Sequence, residues 1–140
     1  MSAQALAAAF LALMPEGVTV HDVQVPDLPT YPYVAVQVRI PTPAGRAISF
    51  DRHGVVVRAL VTVAAGTAEG VRIVADLVDD AVDGAVPVAD GFTFGRVALR
   101  NVRVTAQDFS VTIPASKRHP VYAVLEYEFT AATATPEVGP

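Results

Sequence analysis

The sequence predicts an α+β fold: a mostly antiparallel sheet of about four to five strands with two helices packed on one face. Two observations carry this expectation. Strand-like runs dominate the chain, while helical periodicity is confined to two places. The clearest run of each kind also stand back to back in residues 55–84, around which the rest is organised. Residues 55–64 are rich in β-branched side chains, including Val55, Val57, Val61, Thr62 and Val63. Gly66-Thr67 interrupts them, and Thr67 is placed to cap the following helix by accepting a bond from a free N–H. Val71, Val74, Ala75, Val78, Ala81 and Val82 then recur at helical spacing. Ile73 and Leu77 are expected to widen that buried stripe, with Arg72, Asp76, Asp79, Asp80 and Asp83 turned mostly the other way. Gly84 stands where a residue of positive φ commonly ends a helix.

The remaining elements follow in order. Leu6, Phe10 and Leu13 recur at helical spacing behind the N-cap candidate Ser2, and Pro15-Glu16-Gly17 stops the helix. Residues 5–14 have the length of a signal-peptide core, but no Lys or Arg precedes them, so a short amphipathic helix is the expectation. Residues 18–25 read as a strand on an imperfect period of two. Residues 26–32 form a proline-rich corner that cannot lie inside a sheet. Residues 33–40 alternate cleanly, with Val34, Val36 and Val38 on one face. Residues 41–45 read as a loop and residues 46–50 as a short segment of strand character. Residues 84–94 show little pattern and read as a loop. Residues 96–105 alternate apolar positions with Arg96, Arg100 and Arg103. A long connection over 107–119 leads to a last strand at 121–130, with Ala123, Leu125, Tyr127 and Phe129 on one face. One domain over residues 1–130 and a flexible tail over 131–140 are expected.

Composition narrows the function. A chain of 140 residues makes one domain that buries roughly 68% of its unfolded surface. Hydrophobic residues are 52% and charged ones 17%, which excludes a disordered chain. The net charge of −4 lacks the basic footprint that nucleic-acid binding needs. Without cysteine there are no disulfides and no thiolate metal sites. No apolar run reaches the roughly 20 residues that span a bilayer, so no membrane partner is expected.

Chemical motifs are weak. Asp76, Asp80 and Asp83 share a helix face, but hard-cation sites wrap oxygens around the ion from a loop, so a solvated face is expected and no metal. His21, His53 and His119 lie on three separate segments with no nucleophile at a telling spacing. Gly66-Thr67-Ala68-Glu69-Gly70 opens a helix after a strand but lacks the P-loop lysine and the glycines of a dinucleotide site. No catalytic residue and no cofactor are expected. Arg96, Arg100, Arg103, Lys117 and Arg118 concentrate basic charge in an acidic chain, and the sharper reading of them is a charged contact surface for a protein partner.

Several stretches in this order carry a family resemblance. They are the N-terminal helix, Val20-His21-Asp22 leading into residues 26–32, and Tyr31-Pro32-Tyr33-Val34-Ala35-Val36. After them come Leu60-Val61-Thr62-Val63, the helix 68–82 with Asp76 at its middle, and Arg118-His119-Pro120-Val121-Tyr122-Ala123-Val124-Leu125-Glu126-Tyr127. Together, over roughly residues 3–130, they resemble the tail terminator, or tail completion, proteins of long-tailed phages. The resemblance implies a structural virion protein and not an enzyme. Such a protein forms a ring of six copies that caps the head-proximal end of the tail tube, stops its polymerisation and docks the head. The implied partners are further copies of itself, the tail tube protein, a head-completion protein, and DNA passing through the lumen without sequence-specific binding. The implied location is the virion tail, after assembly in the host cytoplasm. An acidic chain suits such a conduit, because a lumen that held phosphate strongly would retain DNA. Two opposed patches are expected to make the ring contact: Arg96, Arg100 and Arg103 on one side, and Asp76, Asp80 and Asp83 on the other. A head–tail connector subunit is the near alternative. A small-ligand-binding domain or enzyme, with a histidine at the mouth of an apolar pocket, is the alternative of a different class.

Overall fold

The computed structural model describes residues 3–39 and 54–134. In chain order they form α1 (Ala3–Leu11), β1 (Val20–Asp22), β2 (Tyr33–Arg39), β3 (Val55–Ala65), α2 (Ala68–Val82), β4 (Phe92–Phe94), β5 (Ala98–Gln107) and β6 (Val121–Thr133). The fold is α+β, with both helices contributing to one apolar core. The expected segment at 46–50 lies outside the described residues.

The sheet has six strands in the order β1-β2-β3-β6-β4, and β5 pairs with β6 on the same side as β4. It is curled and mixed, not mostly antiparallel. The correction comes from β1, which runs parallel to β2 with Val20 opposite Val34. The extended, proline-rich connection over 23–32 carries the chain back to start β2 in the same direction. Residues 18–25 supply only three strand residues, because Val23 adopts φ 67° and turns the backbone out of the sheet. At the other end β4 appears inside the stretch expected to be a loop, where Phe92 and Phe94 flank an outward Thr93.

Alternation along β2, β3 and β6 sends one set of side chains into the core and the other to the opposite face. Val34, Val36, Val57, Ala59, Val61, Val63, Leu125, Tyr127 and Phe129 are buried. Onto them α1 lays Leu6 and Phe10, with the Phe10 ring stacked on Phe129 at 5.8 Å. From α2 come Val71, Val74, Val78 and Val82, all buried. The helix begins as expected: Gly70 N–H donates to Thr67 Oγ1 at 3.0 Å. It ends at Asp83, followed by Gly84 at φ 81°. Residues 131–133 were expected in a flexible tail, yet they extend β6; Ala131 is buried and pairs with both Val55 and Phe94.

Candidate functional site

The second face of the sheet is covered by no described helix. It carries His21, Tyr33, Ala35 and Gln37 from β1 and β2, then Leu60 and Thr62 from β3. Val124, Glu126 and Glu128 follow from β6, with Arg103 beyond them on β5. Across its middle runs a hollow of about 290 Å³ lined by Val23, Ala35, Leu60, Thr62, Val124 and Arg103. A second hollow of about 240 Å³ adjoins it at Thr62, lined also by Tyr31, Tyr33, Tyr122, Asp108 and Val111. Arg58 and Arg100 approach Glu128 at 3.7 and 3.9 Å, exposed pairs that contribute little to stability. Arg39 lies opposite Arg58 on this face, so arginines outnumber carboxylates on it.

The tyrosine-lined end of the face is ordered by the 108–120 connection. Asp108 accepts from both the N–H and the hydroxyl of Ser110, at 3.0 and 2.6 Å. Those bonds, with a smaller contribution from His119, hold its carboxyl below the usual range. Burial chiefly pushes the Tyr31 and Tyr33 hydroxyls up, and Asp108 adds to the effect. His119 Nδ1 bonds the Val111 carbonyl at 2.7 Å, and its ring meets Phe109 edge-on. His21 packs edge-on against Tyr33. These contacts give both histidines packing roles; His53 lies outside the described residues. The arrangement is an aromatic platform, with Ser110 bonded to Asp108 and His119 engaged elsewhere.

The six expected contact residues separate into three groups. Arg96 and Asp83 bind within the chain: Arg96 Nη1 donates to Gly84 O at 2.9 Å, and Leu99 N–H donates to Asp83 Oδ1 at 3.0 Å. They clamp the end of α2 to β5. Arg100 and Arg103 lie on the open sheet face. Asp76 and Asp80 are exposed on the outer side of α2. Among the described residues, no group of three or more ligating side chains is placed to hold a metal ion.

Three further residues depart from the sequence expectation. Asp79 is not simply solvated: it accepts from the Tyr127 hydroxyl at 2.9 Å. Burial and this bond push the Tyr127 pKa far above its ordinary value. The second correction concerns Ile73 and Leu77, which do not extend the core stripe; they are 54% and 47% exposed. The buried arc centres on Val71, Val74, Val78 and Val82, and at about 100° per residue Leu77 and Ile73 fall beyond its edge. No family model matches the sequence, and no curated protein matches it.

Proposed function

We propose that this chain is a structural assembly protein of the tail-terminator kind, closing the head-proximal end of a phage tail tube as a ring of its own copies. The observation that carries the reading is where the resemblance residues lie. Pro32-Tyr33-Val34 opens β2, Leu60-Val61-Thr62-Val63 lies in β3, residues 68–82 are α2, and His119-Pro120-Val121-Tyr122 opens β6. All of them belong to the scaffold and not to a cluster of reactive groups. Such a pattern supports a protein whose task is to present shaped surfaces. The open sheet face supplies one surface and the outer side of α2 another, and a ring needs two different patches that meet.

The test adds purified protein to tail tubes assembled from the tube protein and images the ends by electron microscopy. A ring at one end of each tube, with tube growth arrested there, is the expected result. Tubes that elongate equally with and without the protein, and bind none of it, would overturn the reading.

A further inference from the structure

Ile73 and Leu77 are apolar yet lie outside the core. At about 100° per residue these two side chains share one arc of α2 with Glu69, Asp76 and Asp80. The outer side of α2 is thus an apolar ridge with carboxylates along it. The open sheet face is its counterpart in charge and in form. Its hollow has an apolar floor at Ala35, Leu60 and Val124 with Arg103 in its lining. Further along the face Arg58 and Arg100 share the single carboxylate of Glu128, which leaves that end positive as well.

Val23 adds an independent mark. It projects at the rim of the hollow, 61% exposed, from a backbone at φ 67°. A β-branched residue rarely adopts that conformation, and such strain collects where a surface is used. Val23 N–H donates to Val36 O at 3.0 Å, which holds the backbone in that conformation beside β2.

We infer that the occupant of the open sheet face is a second copy of this chain, which seats the outer side of its α2 in the hollow. Ile73 and Leu77 of that copy lie on the apolar floor and against Val23. Asp76 and Asp80 face Arg58 and Arg103. Each copy offers its helix to one neighbour and its sheet to another, so the contact is heterologous and closes into a ring when the rotation permits. The opposed charges set orientation and register, while the apolar ridge carries the affinity. The inference deepens the assembly reading above and rests on it for the ring.

Two variants test the contact. Leu77→Arg disables the helix side, and Val124→Arg disables the sheet side; both positions are outside the buried core, and melting curves confirm folding. Sedimentation is followed up to millimolar concentration. The wild type is expected to self-associate, each variant alone to lose at least about thirtyfold in association, and an equimolar mixture to form a dimer and stop there. The mixture pairs because each variant keeps the surface that the other lacks. A wild type that stays monomeric, a variant that associates like wild type, or a mixture that stays monomeric each overturns the contact. Tail binding separates this inference from the functional reading. If Leu77→Arg caps tubes as the wild type does, the contact falls and the terminator reading stands. If the wild type pairs as described but leaves tubes bare, the contact stands and the terminator reading falls.

Discussion

At the scale of single residues, three positions hold more than their neighbours do. Tyr127 is buried in the core with its hydroxyl on Asp79. Tyr127→Phe is expected to cost about 1 kcal/mol near neutral pH, the usual net value of one hydrogen bond. Folding raises the Tyr127 pKa above its ordinary value of 10.0. The folded state therefore binds more protons than the unfolded state above that pH, and stability falls as pH climbs past it. Urea unfolding of wild type and Tyr127→Phe through the alkaline range should show a shallower decline in the variant. Gly54 sits at φ 75°, where a Cβ would meet the Ala131 carbonyl oxygen at 2.5 Å. Gly54→Ala is expected to destabilise by more than about 1 kcal/mol, since neither the dihedral nor the backbone neighbour yields cheaply. Val23 should behave oppositely. Val23→Asn, which tolerates a positive φ, is expected to gain up to about 1 kcal/mol in thermal unfolding while weakening self-association.

Among the elements, α2 shows best what a sequence can and cannot say. Its Thr67 cap, its Gly84 exit and the Val71-Val74-Val78-Val82 stripe were legible, because each rests on local spacing or local hydrogen bonding. The width of the buried stripe was not. Leu77 is as apolar as the buried valines, but it lies beyond the arc they define, and only the packed fold shows where that arc ends. Val74→Asp is therefore expected to unfold the domain, costing more than about 4 kcal/mol, whereas Leu77→Asp should leave the melting temperature within a few degrees of wild type. Among the strands, β2, β3 and β6 were legible from alternation. The direction of β1 was not, since periodicity is the same for parallel and antiparallel partners. Strand β4 is too short for a pattern, and its place depends on Ala131–Thr133, some forty residues away in sequence. Of the expected contact residues, charge alone suggested all six. Asp83 and Arg96 proved to be fastened within the chain, which only the fold could show.

At the scale of the molecule, two layers leave a surplus of surface. Among the described residues the helices cover one side of the sheet, and the other side is partly apolar and carries Arg58, Arg100 and Arg103. Asp76→Asn together with Asp80→Asn should leave thermal stability almost unchanged, because neither side chain is part of the core. The same pair of changes should weaken self-association and reduce its dependence on salt, read by sedimentation at two ionic strengths. Equal salt dependence in variant and wild type would remove these carboxylates from the contact.

The position of β6 carries a consequence for biosynthesis. It lies between β3 on one side and both β4 and β5 on the other, and its register with β3 joins Val55 to Ala131. A nascent chain that has emerged through β5 thus holds three strands whose shared partner is still in the ribosome. Until β6 arrives, the long apolar β3 exposes an unpaired edge, the feature that invites association between unfinished chains. Folding must wait for the last strand, so a stalled or prematurely ended chain is expected to enter aggregates or chaperones and not a smaller native domain.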